Sequence, residues 1–205
     1  MTMDCLSIKQ NFTSLNVCAN NFANIINHST ITNQSHENLS LDQGALSMLA
    51  ILIQCREKNG TVYIVGNGGS AAIASHAVID FMNMAKMRAH SLLDSSVTTC
   101  ISNDYGYEYI YEKQLIQFIE KNDVLIAISS SGQSKNIINA ANIAKKKSAK
   151  TITLSGFSEN NPLRQMGNYN VWLNTKDYGQ VEIGHAFILH YLTDHLRETM
   201  IKENQ

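Results

Sequence analysis

With 16 Lys and Arg against 17 Asp and Glu, and a formal net charge of −1, this chain of 205 residues is long enough for one sizeable core with an added helical element. It is too evenly charged to offer a duplex-binding surface or to seek an anionic membrane. No apolar run is long enough to span a bilayer and no secretory h-region is present, so a cytoplasmic location is expected, with Cys5, Cys18, Cys55 and Cys100 as free thiols.

Apolar residues recur at three- and four-residue spacing from Phe12 through Ile26 and from Leu41 through Ile53, which predicts two helices. The Asn- and Ser-rich stretch 28–40 reads as the turn between them, with Ser40 and Asp42 as capping candidates. Residues 1–58 are therefore expected to form an N-terminal helical segment serving oligomerisation, and 59–205 the main domain. From residue 61 the pattern alternates: strand 61–65, helix about 70–85, a short apolar run at 91–93, helix about 106–120, strand 124–128, helix about 134–146, strand 150–154, strand 170–173 and helix about 181–200. The short basic run Lys145-Lys-Lys147 closes the helix expected over about 134–146. Strands separated by helices predict an α/β fold, a central parallel sheet built through right-handed crossovers and flanked by helices on both faces. One proline, Pro162, and no Gly/Ser-rich linker leave no marked boundary inside it.

Two of these strands end alike. Thr61-Val-Tyr-Ile-Val runs into Gly66-Asn-Gly-Gly-Ser70, and Asp123-Val-Leu-Ile-Ala-Ile runs into Ser129-Ser-Ser-Gly-Gln-Ser134. In each, a buried-strand pattern empties into small residues and then a helix. Backbone N–H groups at Gly68 and Gly69 and hydroxyls at Ser70, Ser129, Ser130, Ser131 and Ser134 then converge where an anion can be held. No Lys-Ser/Thr follows the glycines and the third glycine of a dinucleotide fingerprint is missing, so a small phosphorylated metabolite suits the turns better than ATP or NAD.

His76 and Asp80, four apart on the helix after the first turn, share one face near its phosphate end. On the last helix Glu182 and His190 are eight residues apart, about 12 Å of rise, so one ion reaches both only if Glu182 precedes the helix or the two serve different subunits. His185 and His190 lie about 140° apart around that helix and face different environments; His195, beside Arg197, is expected to be exposed.

Taken together, the run Gly66 to His76, Ser102-Asn-Asp-Tyr-Gly-Tyr-Glu108, Ile128 to Ser134 and the closing Val181-Glu-x-x-His185-x-x-x-x-His190 resemble the sugar isomerase (SIS) family in its phosphoheptose isomerase branch, over about residues 45 to 200. The resemblance implies a three-layer flavodoxin-like domain with an N-terminal helical extension, and a homotetramer with sites between subunits. It implies conversion of sedoheptulose 7-phosphate to a glycero-manno-heptose 7-phosphate for surface polysaccharide, in lipopolysaccharide or capsule. It further implies that Ser70, Ser129, Ser131 and Ser134 hold the phosphate with Ser130 nearby, that Asn67, Asn103 and Asp104 line the sugar, and that His76, Asp80, Glu182 and His190 occupy positions that bind zinc in some relatives. Two departures stand out: Asp80 where the branch has Glu, and Glu182 where it has Gln, each keeping an oxygen ligand.

The expected chemistry is ketose–aldose isomerisation through an enediolate, with His190 as acid or base and Asp80 as its partner carboxylate or a ligand. The competing expectation is a non-catalytic SIS tetramer that binds a sugar phosphate or a replication-initiator-type protein. Retention of the His and carboxylate set favours the enzyme.

Overall fold

The structure, a computed structural model, describes residues 13–203. Cys5 and Phe12, the latter the expected start of the first helix, lie outside the described residues. Helix α1 (Leu15–Asn27) opens on Ser14, whose hydroxyl accepts from the Val17 N–H, and buries none of its side chains. Next come β1 (Thr30–Asn33) and β2 (Asn38–Leu39), then α2 (Leu41–Glu57). A full capping box at Ser40 and Gln43 starts α2. The expectation of a plain turn over 28–40 is thus corrected. Thr30–Asn33 forms a strand antiparallel to β7 (Tyr169–Trp172), with the two-residue β2 folded back on it at the sheet edge. The Asn33 side chain accepts from the N–H groups of Ser35 and Glu37, so the polar residues that hid the strand are the ones that make its hairpin.

The remaining elements are β3 (Thr61–Val65), α3 (Gly69–Asn83), β4 (Arg88–His90), α4 (Ser95–Tyr105), α5 (Glu112–Phe118), β5 (Val124–Ser129), α6 (Lys135–Lys146), β6 (Lys150–Ser155), β7 and α7 (Tyr178–Glu203), with short 3₁₀ turns at Tyr107–Tyr109 and Pro162–Gln165. Two further readings are corrected here. The run expected at 91–93 is a strand three residues earlier, and the helix expected over 106–120 is a 3₁₀ turn followed by the seven-residue α5, separated from an unforeseen α4 by Gly106 at φ 107°. Left-handed backbone at Gly106 ends α4 where a residue with a Cβ would be strained.

The strands form one sheet in the order β2-β1-β7-β6-β5-β3-β4, parallel from β7 to β4 and antiparallel only at the β1–β2 edge. Alternation along β3 sends Val62 and Ile64 to a core shared with α2, α3 and α7, and Tyr63 and Val65 to a second core under α5 and α6. This is the three-layer α/β arrangement expected. At the N-terminal ends of the strands, the buried Asp123 carboxylate accepts from the Thr61 N–H at 2.7 Å and the Glu120 N–H at 2.7 Å, pinning the start of β3 to that of β5. Chain order reverses between β3 and β5: β4 lies on one side of β3 and β5 on the other. Ligand sites in open α/β sheets form at such a switch point, beyond the strand C-termini.

Candidate active site

Both Gly/Ser turns emerge at that switch point, side by side. Helix α3 follows Gly68, held at φ 53°, and α6 follows Ser134; neither first turn carries a side-chain cap, whereas Ser14, Ser40 and Asp94 cap α1, α2 and α4. The first N–H groups of α3 and α6 are left for an outside acceptor. Between the turns lies a cavity of about 160 Å³ lined by Asn67, Ser70, Ile128, Ser129, Ser130, Ser131, Ser134, Tyr178 and Glu182. No Lys or Arg lines it. An anion there meets hydroxyls, amides and helix ends instead of cations.

Hydrogen bonds fix this lining from behind. Ser129 Oγ donates to Ser134 Oγ at 3.2 Å and accepts from the Gly132 N–H at 3.1 Å. Asn67 and Asn136 form a reciprocal amide pair at 3.0 and 2.7 Å, and the Tyr107 hydroxyl donates to Asn67 Oδ1 at 3.0 Å. The buried Tyr111 hydroxyl donates to the Gly66 carbonyl, and burial drives its pKa well above the ordinary phenol value. The Glu182 carboxylate lies against Gly69, where a Cβ would come within 2.4 Å of one of its oxygens and displace it.

A second polar cluster lies further along the same helices. Small residues at Ala72, Ala77 and Ala186 let α3 and α7 approach around a cavity of about 190 Å³ that His76, Asp80 and His190 share. Asp80 Oδ2 is 3.5 Å from His76 Nε2 and 3.2 Å from His190 Nδ1, and one donor atom from each of the three lies within 4.8 Å of the others. Asp80 is largely covered, with a side chain 15% exposed, while the two imidazoles face solvent at 60% and 48%.

Of the expected ligand set, three residues meet and one does not. Helix α7 already begins at Tyr178 and runs unbroken, which leaves Glu182 in the serine cavity about 12 Å of rise from His190. Asn103 and Asp104 sit on the last turn of α4, where the Asn103 amide donates to Asp104 Oδ1 at 2.9 Å; they line neither cavity within this chain. His185 is fully buried, its Nε2 donating to the Ser155 carbonyl at 3.2 Å and its pKa pushed down to about 4 by burial. It does face surroundings different from those of His190. His195 is half-buried, stacked on Tyr191 at 4.1 Å, so its expected exposure is corrected. Tyr178, Asn136 and Tyr107 went unnoticed in the sequence. Tyr178 alone had a usable cue, standing four residues before Glu182 at a helix start, on the same face. A larger groove of about 1090 Å³ beside β4, lined by Lys86, Arg88 and His90, holds none of the expected site residues.

Comparison with known proteins yields one family. The SIS domain pattern matches residues 23–156, ending just before the segment that leads to β7 and α7. A phosphoheptose isomerase of Helicobacter pylori (strain Shi470) is 32% identical over 171 residues, covering 80% of this chain and 88% of that one. Among solved structures, a phosphoheptose isomerase from Francisella tularensis aligns with a TM-score of 0.76 at 25% identity, over 96% of this chain and 100% of that chain. One from Neisseria gonorrhoeae aligns with a TM-score of 0.71 at 27% identity, over 75% of this chain and 86% of that chain.

Proposed function

This chain belongs to the phosphoheptose isomerase family of SIS-domain proteins, and on that premise we propose that it is an aldose–ketose isomerase converting sedoheptulose 7-phosphate to a glycero-manno-heptose 7-phosphate for surface polysaccharide. The observation that carries the reading is the placement of two different polar sites along one pair of helices. A hydroxyl-lined cavity at the start of α3 and α7, in which Glu182 is the one charged lining residue, takes the phosphate, and the His76, Asp80 and His190 cluster lies further along. From Glu182 to His190 the helix rises about 12 Å. A seven-carbon chain has six C–C bonds of about 1.5 Å, at most about 9 Å along its length, and its phosphate ester at one end and the imidazole reaching towards the other make up the rest of the distance.

Isomerisation moves one proton between adjacent carbons and another between the oxygens they carry, through an enediolate. In the neutral imidazole with its proton on Nδ1, His190 donates to Asp80 Oδ2 and keeps Nε2 free to take the carbon-bound proton and return it one carbon along. Asp80, one methylene shorter than Glu, serves as the orienting carboxylate. Ser70, Ser129, Ser130, Ser131 and Ser134 hold the phosphate, and Asn67, Gly68, Gly69 and Glu182 border the sugar. The donor set of two imidazole nitrogens and a carboxylate oxygen also fits a zinc ion with an open position, held by His76, Asp80 and His190. Such an ion, when bound, polarises the sugar carbonyl. Asn103 and Asp104 reach a sugar only as contributions from a neighbouring copy.

Assembly as a homotetramer fits the surface around the cluster. Ile79 and Met82 on α3 and Ile183 and Phe187 on α7 are exposed large apolar side chains, and α1, within the segment 1–58, sets Phe22 against Phe187 while leaving Leu15 and Val17 exposed to meet another copy. A monodisperse monomer in sedimentation velocity at micromolar concentration contradicts the tetramer. No helix among the described residues is long and apolar enough to cross a membrane, in keeping with work in the cytoplasm. The deciding assay is turnover of sedoheptulose 7-phosphate by the purified chain, with and without chelator. Conversion is expected, and absence of product both with added zinc and with chelator rejects the isomerase reading.

A further inference from the structure

We propose that Asn161 is a positioning residue of the phosphate anchor, acting through the serine turn and not on the ligand; the inference rests on reading that turn as the phosphate site. Asn161 lies between β6 and the 3₁₀ turn, is 1% exposed and does not line the serine cavity. A buried amide this far from the surface is costly unless every polar atom is paired, and here it is. Its Nδ2 donates to Ser155 Oγ at 3.1 Å and to the carbonyls of Ser158 at 2.9 Å and Gly156 at 3.4 Å. Its Oδ1 accepts from the Arg164 N–H at 3.0 Å.

The segment so braced grips the serine turn at two carbonyls. The Gly156 N–H donates to the Ser130 carbonyl at 3.0 Å and the Leu163 N–H to the Gly132 carbonyl at 3.2 Å. Because a trans peptide is planar, fixing the Ser130 carbonyl towards this segment turns the Ser131 N–H the opposite way, away from it. Asn161 also lies directly beneath the turn, since a Cβ on Gly132 would come within 1.9 Å of its Oδ1. Gly132 is at φ 65°, a left-handed path that glycine takes without strain, and the Asn161 amide fills the space that a side chain there would need. Removing the amide unties Ser155, Gly156 and Ser158 together and leaves the two gripping N–H groups on a slack loop.

The test measures inorganic phosphate affinity by calorimetry, and KM and kcat for sedoheptulose 7-phosphate, on the full chain and on Asn161→Ala and Asn161→Ser. Serine keeps a hydroxyl to cap the 3₁₀ turn, so the second variant stays informative if alanine fails to fold. Phosphate Kd and sugar-phosphate KM are expected to rise by about tenfold in both, with kcat at saturation within about twofold. A purely structural role moves the melting temperature without this split. Wild-type Kd and KM in either folded variant, or a fall in kcat at unchanged KM, overturns the inference alone. Failure of the unsubstituted chain to bind phosphate overturns the phosphate reading and the inference with it.

Discussion

Around the serine cavity the polar groups come from turns that follow strands, whereas at the histidine cluster they come from within two helices. Ser70, Ser129 and Ser130 are buried, and the Asn67–Asn136 pair and the Asn161 loop hold the turns from outside. At the cluster, Asp80 alone is largely covered, and the two imidazoles face solvent on an apolar surface. The difference is one of preorganisation. The anchor is set by backbone geometry, and its donors stay in place without a ligand. The cluster is set by side-chain rotamers, and it tightens when something bridges its donors. In the proposed reaction the first supplies binding that is uniform along the path, and the second acts only as the proton moves.

The largest effect that separates the two halves is expected at Ser131. Ser131→Glu places a carboxylate where the phosphate goes, and one unit pair of like charges about 4 Å apart costs about 4 kcal/mol near a protein surface. Phosphate affinity should fall by about 10³-fold or more, while zinc uptake at the cluster, read by equilibrium dialysis, stays as in the unsubstituted chain. Undiminished phosphate binding rejects the anchor assignment. His190→Ala is the converse. Turnover should fall by at least about 10²-fold, the lower end for a positioned acid–base group, with phosphate Kd within about twofold. Asp80→Asn then sharpens the result: a silent Asp80→Asn beside an inactive His190→Ala leaves Asp80 as an orienting or ligating group, since an amide cannot accept the substrate proton.

The two halves were also unequally legible in the sequence. Strand runs such as Val124-Leu-Ile-Ala-Ile and the small residues after them are contiguous signals, so the sheet centre and the serine turns were visible from local pattern. The cluster depends on how α3 and α7 cross. Spacing paired His76 with Asp80 and allowed His190, but only the helix start at Tyr178 separates Glu182 from them. Elements without a buried face were lost for a different reason. Helix α4 buries no side chain and is rich in β-branched and Ser residues, so it has no apolar period to read, although Asp94 capping the Val97 N–H was a cue. Strand β1 has four residues, and its only buried side chains are Ile31 and Thr32. Asn161 was legible only as a cap before Pro162; its bonds to the Ser155 hydroxyl and to the Gly156 and Ser158 carbonyls exist only once β6 and the loop after it are folded.

Helix α7 ties the anchor to the cluster, and His185 lies on it between Glu182 and His190. Its folded pKa of about 4 lies below the ordinary 6.5, so between these values the unfolded chain binds the proton that the folded chain excludes. Stability is therefore complete above about pH 6.5 and is lost as pH falls towards 4. At pH 5 this single group should cost about 2 kcal/mol relative to pH 7. His185→Gln keeps an N–H for the Ser155 carbonyl and does not titrate, so it should flatten that part of the pH dependence in urea unfolding. An unchanged slope in the variant removes His185 as its cause.

The smallest effect expected is at Tyr107, and it asks how far the anchor's rigidity extends. Asn67 Oδ1 already accepts from the Asn136 amide at 2.7 Å, and the Tyr107 hydroxyl is its second donor at 3.0 Å on a side chain more than half exposed. Tyr107→Phe removes one exposed hydrogen bond and leaves the reciprocal amide pair, so its net effect lies at the low end of the range for such bonds, about 0.5 kcal/mol. Sugar-phosphate KM should rise by about twofold to threefold, with kcat and inorganic phosphate affinity unchanged. Asn136→Ala, which leaves Asn67 with only the tyrosine, should cost more. If Tyr107→Phe instead raises KM by tenfold while phosphate binding is untouched, the hydroxyl contacts the sugar itself, and the boundary of the site moves outward from the turns to the 3₁₀ segment that carries Tyr107.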